Sequence, residues 1–495
     1  MQQLSPQDAM YVYLETPNTP LQIGWLNIYD PGSAPGGKVR FKAILDHVAQ
    51  RLHMVRFFRQ RLVRVPGDFD HPYWVEDEGF DLEYHVRHVA LPEPGDWRQL
   101  CILVARLFAR PLDFSRPLWE FHVIEGLGSV EGFPKGSFAL LAKLHHAAVD
   151  GVSGVDVTTH LHTTSPSSPP PPPQEWEPEA PPDAVAMLAR GYVATLRHPS
   201  RLVSHIAKVV PGVQRVRAGF MTGKFSNPGR LRVPRTRFSG SVGPHRVVEA
   251  RRFPLDGIRR IRALAPGSTV NEVLLAVVSG ALRRYLLDKG ELPRGTLICT
   301  CPISIRTEEQ QGQLGNQIAK MLVALGTDLA DPAERLRFIR EESLSAKGFT
   351  DAVGARTLSE ASQLLPGALM GLAARLNSEL ALADRRAGSA NTTLTNVPGP
   401  QTPLYLAGAK LVTQFGLGPV LDGLGIFHAA LSYCGEITLT IAADRDKLPD
   451  PAVYAEFLQA SYDELLAAAA GVDPPAVGKS RRRRDQGRRG DGSGS

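Results

Sequence analysis

The 495-residue chain contains no run of eighteen apolar residues, so no segment has the length and hydrophobicity of a membrane-spanning helix. Cysteine is scarce. Cys101, Cys299, Cys301 and Cys434 are the only four, too few for a disulfide framework at this length. Cys299 and Cys301 would share one face of a strand, but no second Cys or His pair stands at zinc-binding spacing. All four are expected to be reduced and buried, as suits the cytoplasm. The opening MQQLSPQDAMYVYLETP has no basic stretch ahead of an apolar core and does not read as a secretory signal. GxSxG is missing too, and Ser153 in GVSG lacks that context, which argues against a serine-hydrolase nucleophile elbow.

Acidic residues are missing from Ala184 to Val248, a stretch holding twelve Arg or Lys. From Lys479 onward the tail has seven basic residues and two acidic ones. These two segments carry +12 and +5 against a chain total of +6, which leaves the remainder at −11. A nucleic-acid binder presents its basic residues on the folded reading surface, so no nucleic-acid partner is expected; an anionic partner met locally is. On a helical wheel Arg190, Arg197, Arg201, Lys208 and Arg215 form one stripe, opposite Val185, Leu188, Leu202, Ile206, Val209 and Val213. Pro199 and Pro211 should divide the segment into shorter helices. Two readings stay open: a connecting helix docked on a domain, or contact with an anionic membrane surface.

With 43% apolar and 21% charged residues the composition is that of a globular protein, and the length suits two domains. Residues 1–163 alternate strand-like and helix-like stretches: LQIGWLNIYD, LWEFHVIEGL and GSFALLAKLHH as strands, FKAILDHVAQRLHMV as an amphipathic helix. A Pro-rich linker follows over 164–183, with five consecutive prolines that favour an extended chain. Basic connecting helices are expected over 184–244, and a second α/β region over 245–478. There DGIRRIRALAP and TVNEVLLAVVSGALRRYLL read as helices, and TLICTCPISIR, NTTLTNVPGP, KLVTQFGLG and ITLTIAADRD supply strands. The tail, 479–495, has a disordered composition.

HHAAVDG, residues 145–151, ends the strand GSFALLAKL and precedes a small-residue helix start. A strand end can hold a side chain rigidly while facing a cleft. His145 and His146 followed by Asp150 and Gly151 offer a base together with an anion able to orient its loop. Contiguity on one strand-to-loop turn argues against a metal site, since no remote ligands present themselves. Asn271 is a candidate oxyanion donor, with an N-cap of the following helix as the competing reading. Pro117, Leu118 and Trp119 have a core-packing reading.

HHAAVDG resembles the HHxxxDG signature of the coenzyme A-dependent acyltransferase superfamily, which includes chloramphenicol acetyltransferases and peptide-synthetase condensation domains. Further matches resemble the bacterial wax ester synthase/diacylglycerol acyltransferases across nearly the whole chain. LSPQDAMYVYLET is similar to their LSPxDxxFLxxE start, and Pro117-Leu118-Trp119 to their PLW motif. TVNEVLLAVVSGALRRYL is similar to their TVNDVxLAxxxGALRxYL helix, with Glu272 where Asp is usual. CPISIR with LGNQ, containing Asn316, and TNVPGP, containing Asn396 and with Thr395 in place of Ser, complete the set.

The resemblance implies an α/β fold of two similar chloramphenicol-acetyltransferase-like domains, with the active site in a tunnel at their interface. Late segments such as NTTLTNVPGP would pack back against the first domain. It also implies that His146 is the general base and that His145 is held in the wall. Asp150 would point away and pair with Arg306, Gly151 would shape the loop, and Asn316 and Asn396 would support the site. The implied reaction moves a long-chain acyl group from acyl-CoA directly to diacylglycerol or a long-chain alcohol. No cofactor is implied, acyl-CoA being a substrate. The expected place of work is the cytoplasm, peripheral to the cell membrane or lipid inclusions. A condensation-type enzyme acting on carrier-bound thioesters, or a catalytically weak lipid-droplet-binding protein, are the rival readings.

Overall fold

Strands with near-continuous burial build the molecule, because most of them are covered on both faces. A computed structural model describes residues 2–65, 70–149, 157–173, 176, 233–304, 318–353, 376, 382–384 and 388–471. The basic stripe from Arg190 to Arg215, the tail from Lys479, and Asp150, Gly151, Arg306 and Asn316 lie outside the described residues.

In chain order the first half holds β1 (Gln2–Gln3), α1 (Pro6–Leu14), β2 (Gln22–Asp30), α2 (Phe41–Ala49), β3 (Gln60–Val63) and β4 (Tyr73–Glu76). Then come α3 (Leu82–His85), β5 (Val86–Ala90), α4 (Trp97–Phe108), β6 (Trp119–Glu125) and β7 (Phe138–His145). Later in the chain follow β8 (Arg246–Pro254), α5 (Leu255–Ile261), α6 (Val270–Asp288), β9 (Ile298–Ser304), β10 (Ile318–Ala324) and α7 (Pro332–Val353). The chain closes with β11 (Thr392–Val397), β12 (Tyr405–Leu406), β13 (Ala409–Leu417), β14 (Ile426–Tyr433), β15 (Glu436–Asp444) and α8 (Pro451–Ala469).

Two six-stranded mixed sheets result, ordered β12-β13-β2-β7-β6-β5 and β10-β9-β11-β14-β15-β8. The first sheet therefore contains two strands from the far end of the chain. β13 runs antiparallel to β2, with Lys410 opposite Asp30 and Leu417 opposite Gly24. The segment expected to pack back, NTTLTNVPGP, is instead a strand of the second sheet, parallel to both β9 and β14. It is KLVTQFGLG that crosses over. Its glycines make the crossing possible. A Cβ on Gly416 would lie 3.0 Å from that of Ala429, and one on Gly418 would lie 2.2 Å from the Phe427 ring. β13 thus passes directly against β14 while pairing with the other sheet.

α6 is buried all round, as a helix without a polar stripe must be. It lies between α7 and α8 in the core of the second half. Its start corrects one expectation. Thr269, not Asn271, is the N-cap: Thr269 Oγ1 accepts from Glu272 N at 3.3 Å, and Glu272 Oε2 accepts from Thr269 N at 2.8 Å. This is a capping box, and it gives the buried Glu272 carboxylate a structural task. Asn271 is the second helical residue and is half-buried.

Of the cysteines, Cys101, Cys299 and Cys301 are buried and free, with the Cys299 and Cys301 sulfurs 4.0 Å apart. Cys434 is also free but exposed, against expectation. It occupies the β14–β15 hairpin with Gly435, both at positive φ (44° and 86°), where a turn projects its first residue into solvent.

Three histidines, His162 and His428 buried and His47 half-buried, are held neutral. His162 donates from Nδ1 to Thr158 O at 2.6 Å and accepts from the Tyr29 hydroxyl at 2.7 Å. His47 Nε2 donates to Leu161 O at 2.8 Å, and His428 lies between Thr392 Oγ1 (3.0 Å) and the Tyr454 hydroxyl (2.8 Å). Burial lowers their pKa values to about 4, about 4 and about 3, against a partial pull upward from their carbonyl partners. In the unfolded chain they titrate near 6.5, so between there and about 4 the unfolded state binds more protons. Their stabilising share is complete above pH 6.5 and is lost as the pH falls through that window, by up to about 1.4 kcal/mol per pH unit for each ring. Denaturant midpoints measured from pH 7 to pH 4.5 should fall steadily, and less so in His162→Gln. A flat profile would contradict the burial of these rings as neutral species.

Candidate active site

The histidine doublet sits where three neighbouring chain segments converge. β7 ends at His145, which lies opposite Gln22 at the start of β2. His145 N donates to Leu118 O at 3.0 Å, and His146 N donates to Leu21 O at 2.9 Å. The backbone of each histidine is therefore tied to a different adjacent strand. A tight turn follows, with Ala148 N donating to His145 O at 2.9 Å.

His145 is fully buried. Its Nδ1 accepts from Ala147 N at 3.1 Å, which leaves the ring proton on Nε2 to be donated to Glu15 Oε2 at 2.9 Å. The same Glu15 oxygen accepts from Leu21 N at 2.8 Å. One carboxylate at the end of α1 thus fixes both His145 and the residue whose carbonyl holds His146. Phe114 packs edge-on against His145 at 5.2 Å.

The His146 ring is half-buried and lies parallel to Tyr11, with centroids 4.0 Å apart and planes within 5°. Tyr11 also belongs to α1. In the sequence, LSPQDAMYVYLET is a family marker and nothing more. The fold gives it a task, since Tyr11 and Glu15 of that stretch both meet the doublet.

The PLW motif supports the doublet from the other side. Leu118 supplies the carbonyl that holds His145, and Pro117, Leu118 and Trp119 are all buried. Trp119 Nε1 donates to Phe58 O at 2.9 Å, and its ring is stacked by His85 and packed by Phe58 and Phe121. The core-packing reading of this motif holds, and the same packing anchors the strand end beneath the histidines.

Behind His145 on the same sheet face lies a buried charge cluster. Lys143 Nζ donates to Arg110 O at 3.0 Å and to Glu120 Oε2 at 3.1 Å, and the same oxygen accepts from His122 Nε2 at 3.1 Å. Burial alone would raise the Glu120 pKa. The bonds from His122 and Lys143 outweigh it and hold the group at about 2. Burial lowers the Lys143 pKa, partly offset by Glu120. A paired, hydrogen-bonded charge of this kind fixes geometry more than it adds stability.

The two halves meet close by. Arg246 at the start of β8 donates to the Asn18 carbonyl in the loop between α1 and β2. A narrow cleft there is lined by Pro20, Phe108, Arg246, Gly418, Val420 and Ala442, drawn from both halves of the chain. α4 packs against β8, and the two sheets share a core that includes Leu26, Leu141, Val248 and Phe415. Asn396 is half-buried near the end of β11. Among the described residues no group of His, Cys, Asp or Glu is placed to hold a metal ion, and no helix is long and apolar enough to cross a membrane.

Comparison with known proteins agrees with this architecture. Residues 4–274 match the wax ester synthase/diacylglycerol acyltransferase catalytic domain, and residues 314–466 match the C-terminal domain of the same family. Two Mycobacterium tuberculosis proteins named as diacylglycerol O-acyltransferases are 32% and 33% identical over 469 residues each. That span is 94% of this chain and 90% and 99% of theirs. The wax ester synthase/diacylglycerol acyltransferase from Marinobacter aquaeolei VT8 superposes with a TM-score of 0.66 at 26% identity, covering 95% of this chain and all of that one. The first condensation domain of the CDA synthetase shares the fold, with a TM-score of 0.54 at 16% identity over 95% of this chain and 97% of that one. The chain belongs to the wax ester synthase/diacylglycerol acyltransferase family.

Proposed function

We propose that this acyltransferase uses His146 as general base to join a long-chain acyl group to diacylglycerol or a long-chain alcohol. As the acceptor oxygen attacks the thioester carbonyl, His146 takes the hydroxyl proton; as the carbon–sulfur bond breaks, it returns that proton to the leaving thiolate. The products are triacylglycerol or wax ester and free CoA, with no covalent intermediate. A thioester is already activated, so the chemistry calls for no cofactor, and a positioned base contributes about 10²–10⁴-fold. The observation that carries this reading is the double backbone tether of His145 and His146 to neighbouring strands beside the contact of the two halves.

Asp150 and Arg306 are assigned a positioning ion pair and Gly151 the shape of the loop. Asn271 is assigned to the oxyanion or to site shape, and Asn316 and Asn396 to site support. Diacylglycerol as acceptor is favoured by the names of the mycobacterial relatives. Peripheral contact with the cytoplasmic side of an anionic membrane or lipid inclusion is assigned to the basic segment between Arg190 and Arg215.

Purified protein incubated with palmitoyl-CoA and either dioleoylglycerol or hexadecanol should release CoA in step with ester seen by thin-layer chromatography. Ester from neither acceptor would overturn the assignment and favour a lipid-coat role.

A further inference from the structure

We infer that Tyr11 is a positioning residue for the reaction, its ring acting as a fixed plate that orients the His146 imidazole and stabilises the positive charge it gains. This rests on the reading of His146 as the base. The geometry is a parallel stack, with ring centroids 4.0 Å apart and planes within 5°. The basic lone pair of an imidazole nitrogen lies in the ring plane. A partner on the π face therefore restricts the tilt of the ring without occupying the nitrogen that must take the proton.

The plate is itself rigid. α1 is capped by Ser5, whose Oγ accepts from Asp8 N at 3.1 Å and donates to the Asp8 carboxylate at 2.6 Å, and it starts with Pro6 in its first turn. At its other end Glu15 binds Leu21 N and His145, so the helix is tied to the segments that carry the base. Ala9, Val12 and Tyr13 bury the opposite faces of the helix in the core of the first half. Tyr11 is thus delivered by a short helix fixed at both ends.

Charge then adds to placement. His146 is neutral before the reaction and imidazolium while it carries the hydroxyl proton. An electron-rich aromatic face attracts the cation and not the neutral ring, so the stack strengthens as the transition state forms. The interaction belongs to kcat and leaves binding of either substrate almost untouched.

The test compares Tyr11→Phe, Tyr11→Leu and Tyr11→Met in the full-length chain, assayed with palmitoyl-CoA and dioleoylglycerol, with thermal midpoints recorded alongside. Phe keeps the aromatic face and should hold kcat within about twofold. Leu should lose about tenfold in kcat with KM for palmitoyl-CoA changed by less than about threefold. Met fills the same space flexibly and gives the same reading should Leu fail to yield folded protein. Wild-type kcat in a folded Leu or Met variant overturns the inference. So does a Phe variant that falls as far as Leu, or a loss confined to KM. Failure here with an inactive His146→Ala enzyme leaves the base assignment standing, whereas an active His146→Ala enzyme removes both.

Discussion

Exchange of His146 for alanine is expected to lower ester formation by about 10²–10⁴-fold, the range typical of losing a positioned general base. The backbone bond from His146 N to Leu21 O does not depend on the side chain, so the strand end should keep its course. His145, held by Glu15 and by Ala147 N, should also stay in place. The thermal midpoint is therefore expected to change little, and the loss should appear in kcat with a smaller change in KM. Single-turnover measurements with palmitoyl-CoA and dioleoylglycerol would check this. A variant that forms ester at the wild-type rate would remove His146 from the mechanism.

The largest effect on stability is expected from Trp119→Ala. The side chain is fully buried, packed by Phe58, His85 and Phe121, and its indole N–H is the partner of Phe58 O. Removing it leaves a cavity and strips a buried carbonyl of its donor, a combined cost of about 3–5 kcal/mol. The strand end that supplies Leu118 O to His145 begins at this residue, so activity should fall with stability. Urea titrations followed by circular dichroism would measure the shift, with Trp119→Phe expected to lose less. A midpoint unchanged by the alanine exchange would mean that the PLW segment is not the anchor described.

Local features of this chain were legible from its sequence to the extent that their causes are local. HHAAVDG, the strand before it, and the helix from Val270 to Asp288 are set by motif spacing and by apolar runs whose lengths suit a buried strand and a buried helix. The capping box is equally local, since Thr269 and Glu272 have the T-x-x-E spacing, with Asn271 beside them as a competing cap type. Glu15 and Tyr11 were not legible as partners of the doublet, because more than a hundred residues separate them from it and only the fold brings them together. The sheet chosen by KLVTQFGLG was hidden for a similar reason. A strand pattern gives a pleated element and its faces, not the identity of its neighbours. Cys434 looked like a core residue by type, and the turn it occupies overrode that preference.

The crossing of β13 bears on how the protein is made. When the ribosome has released only the first few hundred residues, β2 has β7 on one side and an open backbone edge on the other. That edge is closed only once Lys410 to Leu417 have emerged to lie beside it. The nascent amino-terminal half must wait, with its sheet unfinished and able to pair wrongly, for almost the entire message to be translated. Severing the gene between the two halves would part the first sheet from the strands that complete it, while the second would keep all six of its own.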